Sequence, residues 1–235
     1  MKSIYSSYID RITDILDKKP NLKTFSRPEE LEKANESAIG RERSNTSLVP
    51  AGQNQLPVLF GTPMGYKSVP TIGTHPNFKD MKFGDKCYQY CTSMFIDIKG
   101  STNLAVNYDL EQVRMMKDAI LSVCIQTVTI FGGHVQRLQG DGLYVQFTDV
   151  NIHQNDMIIN ALNAATVLCQ FISTTLADLF VKRNLKPLRI KVGIDFAEDQ
   201  KCLWSHYGLQ GCNELTATSL HVDLAAKLQS RCSSN

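Results

Sequence analysis

The segment SMFIDIKGST, residues 93–102, joins an apolar strand to a Gly-Ser-Thr turn and carries one aspartate, Asp97, near the junction. Residues 93–98 predict a short, fully buried strand. Burying a carboxylate is costly unless a partner compensates its charge, so Asp97 marks a candidate site. The backbone N–H groups of the turn, which leads towards a helix, favour a phosphate. The segment therefore predicts a strand end that combines an acidic group with an anion-binding turn.

The elements on the C-terminal side of this strand predict an α+β fold. A helical pattern of apolar residues is followed by a hairpin around a Gly-Asp-Gly turn at 140–142, then by a long helix, a strand and a last helix. The segment before the last helix, with Trp204 and Tyr207, is predicted as a turn. The predicted strands are 93–98, 134–139, 143–147 and 188–197, and the predicted helices are 109–130, 156–184 and 221–231. Their β-α-β-β-α-β order is typical of a ferredoxin-like fold.

The N-terminal third of the sequence has a different pattern from the segments described above. Residues 3–18 have the spacing of an amphipathic helix, and a capping box with proline at 26–29 predicts a second short helix to about residue 36. Residues 40–85 are rich in glycine, proline and small polar residues and predict a long loop. We therefore expect an extension of two short helices and a long loop over 1–85, and a catalytic domain over 86–235.

Composition narrows the class of protein. The 25 lysines and arginines nearly balance the 23 aspartates and glutamates, which gives no electrostatic reason to expect nucleic acid or an anionic membrane as a partner. No run is expected to reach the roughly 18 apolar residues of a membrane span, and the N-terminus lacks the core of a signal peptide. The seven scattered cysteines suit reduced thiols. The sequence thus predicts a soluble, cytoplasmic protein.

Asp97 and Asp141 form the candidate metal site. Asp97 lies at the end of the first strand and Asp141 in the hairpin turn, and the predicted topology can bring both to one edge of the sheet. No lysine is expected between them, so the two carboxylates would repel each other unless a cation is bound, and oxygen ligands suit Mg²⁺ or Mn²⁺. Beside a phosphate-binding turn, this pair predicts metal-assisted chemistry on a nucleoside triphosphate.

Four segments together resemble the class III nucleotide cyclases: FIDIKGST (95–102), GGHVQRLQGDGLYVQF (132–147), RIKVGIDFA (189–197) and HVDLAAKLQ (221–229). The resemblance implies two divalent metal ions, Mn²⁺ or Mg²⁺, held by Asp97, Asp141 and the backbone carbonyl of Ile98. One ion would activate the ribose 3′-hydroxyl and the other would brace the triphosphate. It also implies a homodimer with active sites at the interface. The phosphate-binding residues would be Lys99, Gly100, Ser101 and Thr102.

The sequence departs from this family at several site positions. The family's asparagine and arginine, which orient the ribose and steady the α-phosphate, fall on Asp223 and Lys227, and Arg231 lies one turn further along the same helical face. These three are the catalytic candidates. The base-reading positions hold Arg137 and Thr216. Arginine only donates hydrogen bonds, which suits a carbonyl such as the pyrimidine O2 or O4.

Within this family the chain resembles the pyrimidine cyclases of bacterial Pycsar antiphage systems. That resemblance implies a cytidylate or uridylate cyclase that converts CTP or UTP to cyclic CMP or cyclic UMP plus pyrophosphate, as a second messenger in antiphage defence. Two alternatives stay open on the sequence alone. One is an adenylate cyclase that makes cyclic AMP, and the other is a degenerate homologue that binds a nucleotide without catalysis.

Overall fold

The computed structural model of the chain describes residues 6–17 and 70–232. Its main sheet has four strands in the order β3-β4-β2-β5, and every neighbouring pair is antiparallel. The strands are β2 (Cys91–Ile98), β3 (His134–Gln139), β4 (Gly142–Phe147) and β5 (Ile190–Ala197). All four lie where the sequence predicts them, and this strand order confirms the ferredoxin-like arrangement.

A second sheet of three strands, in the order β1-β6-β7, was not predicted. Its strands are β1 (Lys86–Tyr88), β6 (Leu203–Leu209) and β7 (Cys212–Thr218). Placing Trp204 and Tyr207 in a turn was therefore wrong, because both lie on β6. Trp204 is fully buried, with its ring 4.1 Å from that of Phe78, and its Nε1 donates to the carbonyl of Gln89. This indole anchors a second, smaller apolar core.

Six α-helices complete the described part of the chain. They are α1 (Ser6–Asp17), α2 (Leu104–Asn107), α3 (Leu110–Ile130), α4 (Gln154–Phe171), α5 (Ala177–Val181) and α6 (Leu220–Arg231). Asp109 caps α3 through a capping box with Gln112, which explains why the helix begins there. A π-helical turn, Ile172–Leu176, joins α4 to α5, so the long helix predicted over 156–184 is one helical segment with an irregular centre.

Helix α1 packs against α3, and its Ile12 and Leu16 are buried in the same core as Met94 and Ile96 of β2. Arg183 fixes the end of α1 through two hydrogen bonds to the Asp17 carboxylate. Part of the predicted N-terminal extension thus contributes to the core of the main sheet. The second predicted helix and residues 40–69 of the predicted loop lie outside the described residues, and the domain boundary at residue 85 stays a prediction.

The helical segment Gln154–Val181 is long and apolar enough to cross a membrane, by length and composition. The expectation that no segment approaches a membrane span is therefore wrong for this helix. Its inner face, including Ala161, Ala164 and Leu168, is buried in the core of the main sheet. A core helix of a globular domain passes the same test, so the feature alone does not indicate a membrane protein.

The buried side chain of His75 should make the folding stability of the protein sensitive to acid. The side chain is buried beside His134, and its Nδ1 accepts a hydrogen bond from the Asn77 amide. Burial, and secondarily the neighbouring His134, lower the pKa of His75 from 6.5 to about 3. Below pH 6.5 this histidine is therefore protonated in the unfolded chain but stays neutral in the folded chain. The free energy of unfolding consequently falls as the pH drops. Between pH 7 and pH 5, His75 alone should lower the free energy of unfolding by about 2 kcal/mol.

Urea unfolding of the protein and of His75→Asn at both pH values measures this contribution. Asparagine keeps an acceptor for the Asn77 amide but does not titrate. The decrease in unfolding free energy from pH 7 to pH 5 should be about 2 kcal/mol smaller in the variant. Equal decreases in the two proteins would show that His75 is not held neutral by the fold.

Candidate active site

Asp97 and Asp141 lie at the same end of two neighbouring strands. Asp97 of β2 pairs with Gly142 of β4, and Asp141 is the residue directly before Gly142. A Cβ atom at position 142 would lie 2.6 Å from the carbonyl oxygen of Ile96, so only glycine allows the hairpin to approach β2 this closely. The Gly-Asp-Gly turn thus places the backbone of Asp141 beside the end of β2 that carries Asp97, at the edge the topology predicts.

The environments of the two carboxylates differ. The Oδ2 atom of Asp141 is buried and has no hydrogen-bond partner among the described residues. An oxygen in this state is unfavourable unless a cation or a donor compensates it. The carboxylate of Asp97 lies 3.5 Å from the ammonium nitrogen of Lys191, its partner on β5. The expectation that no lysine lies near the pair is therefore wrong, because β5 supplies one from across the sheet.

The donor set fits a hard divalent cation only in part. Within residues 6–17 and 70–232, no group of three or more histidine, cysteine, aspartate or glutamate side chains could hold a metal ion. Asp97 and Asp141 offer carboxylate oxygens, and Ile98 adds a backbone carbonyl at the end of β2. Divalent Mg²⁺ and Mn²⁺ need about six oxygen ligands, so water and the oxygens of a bound substrate would have to complete the shell. These groups could therefore hold a metal ion only together with a bound phosphate.

The turn after β2 provides part of the predicted phosphate site. The amide of Lys99 donates to the carbonyl of Arg189 at 2.8 Å, so this N–H group is unavailable to a ligand. Gly100 has a left-handed backbone with φ of 73°, and Ser101 and Thr102 begin a short 3₁₀ helix, where the first N–H groups have no intrahelical acceptor. The groups of this turn that an anion could still reach are therefore the N–H groups of Gly100 to Thr102 and the side chain of Lys99.

A pocket of about 600 Å³ lies beside this turn. Among the described residues, its lining includes three basic side chains and no acidic one. The basic residues are Lys99, Lys186 and Arg189, and Asn103 and Asn107 add amide groups. The positive charge suits the polyphosphate end of a nucleotide.

The two predicted base-reading residues lie on different sheets, Arg137 on β3 of the main sheet and Thr216 on β7 of the second sheet. Arg137 of β3 forms an ion pair with Glu214 of β7, with Nη2 and Oε2 2.8 Å apart, and its guanidinium lies 5.9 Å from the centre of the Tyr144 ring. Thr216 is buried, and its hydroxyl accepts a hydrogen bond from Gln146. Sequence reasoning missed Glu214. Its two-residue spacing from Thr216 on one strand, which places both side chains on one face, was the available signal.

Asp223, Lys227 and Arg231 follow each other at one-turn intervals on the exposed face of α6. In the part of the chain that is described, no hydrogen bond or ion pair joins any of them to Asp97, Asp141 or the phosphate turn. Helix α6 packs its other face on β5 and β2. Within one chain, the structure therefore does not bring these three candidates to the carboxylates.

Comparisons with known proteins agree with this architecture. No protein-family model matches the chain. It is 43% identical over 197 residues to a cytidylate cyclase of Staphylococcus aureus, which covers 84% of this chain and 46% of that protein. A cytidylate cyclase of Escherichia coli is 34% identical over 210 residues, which is 86% of this chain and 45% of that protein. The chain thus spans less than half the length of these curated relatives.

Among solved structures, the adenylyl cyclase CyaB from P. aeruginosa has the same fold. The two superpose with a TM-score of 0.56 at 21% identity, over 62% of this chain and 74% of that one. At this identity the likeness establishes the fold alone. The comparisons together show that the chain is a relative of cytidylate cyclases over 84% to 86% of its own length and has the fold of an adenylyl cyclase.

Proposed function

We propose that the chain converts a pyrimidine nucleoside triphosphate to the 3′,5′-cyclic monophosphate and pyrophosphate. The observation that carries this proposal is that Asp97, near the end of β2, lies close to the hairpin turn that carries Asp141, and that the turn at residues 99–102 follows β2 directly. In the reaction, the ribose 3′-oxygen bonds to the α-phosphorus, the bond to the β-phosphate oxygen breaks, and the hydroxyl proton passes to solvent. The relatives in Staphylococcus aureus and Escherichia coli are cytidylate cyclases, which favours CTP over UTP as the substrate and does not favour an adenylate cyclase.

Divalent metal ions, Mn²⁺ or Mg²⁺, would be held by Asp97, Asp141 and the Ile98 carbonyl, and we propose two of them. When bound, they would make the 3′-hydroxyl more acidic and neutralise the leaving pyrophosphate. The unpaired Oδ2 of Asp141 supports this role, because it has no compensating partner in the described residues. The N–H groups of Ser101 and Thr102 and the side chain of Lys99 would orient the phosphates.

We propose that the active form is a homodimer with the active sites at the interface. Asp223, Lys227 and Arg231 are exposed on α6, and among the described residues no hydrogen bond or ion pair joins them to Asp97 or Asp141. In a dimer, the same face could reach the substrate bound by the partner subunit. Lysine at position 227 keeps the positive charge for the α-phosphate but lacks the two-pronged geometry of arginine.

Arg137 and Thr216 would contact the base. Arg137 is held between Glu214 and the Tyr144 ring, so its remaining N–H groups have a fixed direction. They can donate to the carbonyl oxygen of a pyrimidine. A cytoplasmic location and a role in antiphage signalling are further proposals, and these rest on the resemblance to the Pycsar cyclases.

Turnover of all four nucleoside triphosphates tests the proposed function. The purified protein is incubated with ATP, GTP, CTP or UTP and Mn²⁺ or Mg²⁺, and products are identified by mass and by comparison with 3′,5′-cyclic standards. We expect a cyclic pyrimidine monophosphate, with CTP the better substrate, and no product after chelation of the metal. Cyclic AMP as the main product would contradict the proposal. Nucleotide binding without any product would identify a degenerate, non-catalytic homologue.

A further inference from the structure

Glu214 and Arg137 form an ion pair that bridges the two sheets. Arg137 lies on β3 of the main sheet and Glu214 on β7 of the second sheet. The side chains are 37% and 39% exposed, so a ligand can reach both. An ion pair this exposed contributes little to stability. Its consequence lies instead in the hydrogen-bonding groups that it presents at the proposed base site.

The pair is fixed on both sides. The guanidinium of Arg137 lies over the Tyr144 ring, which stacks on Phe95 with centroids 4.5 Å apart. The amide nitrogen of Gln136 donates to Glu214 Oε1 at 2.9 Å and to the Leu215 carbonyl at 3.0 Å. Gln136 is buried and both of its amide hydrogens are used, so it offers no further donor to a ligand. The ligand therefore meets arginine donors on one side and a carboxylate acceptor on the other.

This order of groups distinguishes the two pyrimidines. Along its pairing edge, cytosine presents two acceptors, O2 and N3, followed by the N4 amino donor, whereas uracil presents acceptor, donor and acceptor. The N–H groups of Arg137 match two adjacent acceptors, and the spare lone pairs of Glu214 match an amino group. Uracil would instead turn its O4 towards the carboxylate and its N3–H towards arginine, and both contacts are unfavourable.

We infer that Glu214 is a specificity-determining residue, which accepts a hydrogen bond from the exocyclic amino group of cytosine while Arg137 donates to O2 and N3. The inference rests on the proposed function and assigns cytidine as its substrate class. A site built around one buried or half-buried hydrogen bond rejects a substrate that lacks the matching group far more strongly than an apolar pocket does.

Glu214→Gln tests this directly, because an amide can turn its N–H group towards the O4 of uracil. We expect the ratio of kcat/KM for CTP to that for UTP to fall at least about tenfold, since one hydrogen bond of this kind corresponds to about that factor. The matched control is Glu111→Gln, which breaks the exposed ion pair between Glu111 and Arg114 at 2.7 Å on α3. The control should keep the wild-type ratio.

A substrate analogue separates recognition from a loss of structure. The triphosphate of pyrimidin-2-one riboside lacks the amino group of cytidine. On the wild-type protein, it should react at least about tenfold less efficiently than CTP, and on Glu214→Ala the two should react alike. The two substrates are compared on the same protein, and the result is the ratio of their kcat/KM values. A general loss of activity in the variant lowers both values and leaves this ratio unchanged.

The outcomes distinguish the two proposals. If the wild-type protein makes a cyclic pyrimidine nucleotide but Glu214→Gln leaves the CTP-to-UTP ratio within twofold, the role of Glu214 is wrong and the proposed function stands. If the protein makes no cyclic product, the proposed function fails, and calorimetric binding of CTP and UTP still tests the inference. Equal affinity for both nucleotides in the wild-type protein would then overturn it.

Discussion

Asp97→Asn and Asp141→Asn should each lower the rate of cyclic nucleotide formation by about a thousandfold or more. An amide has nearly the shape of a carboxylate but carries no charge, so it cannot replace a ligand that neutralises a dication. The rate of product formation at saturating CTP and Mn²⁺ measures the effect. Binding of Mn²⁺ in the presence of nucleotide, followed by electron paramagnetic resonance, gives a second readout that does not depend on turnover.

These two variants should remain folded. Asp97 and Lys191 form a partly exposed ion pair, whose loss costs less than about 1 kcal/mol. Asp141 loses no hydrogen bond at Oδ2, because that atom has no partner in the described residues. Asp118→Asn, at an exposed position on α3, is the matched control and should retain full activity. If either site variant keeps more than a tenth of the wild-type rate, the pair does not form the metal site.

Gly193→Ala should destabilise the fold by about 3 kcal/mol, which is unusually large for one added methyl group. A Cβ atom at this position of β5 would overlap the carbonyl oxygen of Ala225 and the amide nitrogen of Gln229, both in the backbone of α6. Backbone atoms within a helix cannot rotate away, so α6 would have to shift from the sheet. Urea unfolding of the variant measures the loss.

Gly84→Ala is the comparison for this substitution. Gly84 has φ of 99°, but no heavy atom of the described residues lies within 4 Å of a Cβ built there, so the cost should be about 1 kcal/mol from backbone strain alone. If α6 carries residues that act on the substrate, Gly193→Ala should also lower turnover under conditions where it is fully folded. Equal stability of the two alanine variants would show that α6 does not pack closely on β5.

The sequence predicted the main sheet because each of its strands has a local signal. The apolar segment before Asp97 and the Gly-Asp-Gly hairpin identify neighbouring strands, and the hydrophobic periodicity identifies the helices between them. The second sheet was missed because β7, with the sequence CNELTAT, is mostly polar, and its pairing with β6 is visible only in three dimensions.

The same reason explains which parts of the site could be predicted. Asp97 and Asp141 stand out because each interrupts a local pattern, and their adjacency follows from the order of the elements. Lys191 and Glu214 interrupt no local pattern, and each gains its significance from the residue opposite it on another strand. Register between distant strands cannot be read from one sequence.

Lys191 has a consequence for the order in which ligands are taken up. Its ammonium group already gives Asp97 a counter-charge, so an incoming metal ion competes with a built-in cation for the same carboxylate. A polyphosphate offers this lysine an alternative anionic partner and so frees the carboxylate. Binding of the ion and binding of the nucleotide should therefore be cooperative. Each ligand should raise the affinity of the protein for the other by the same factor.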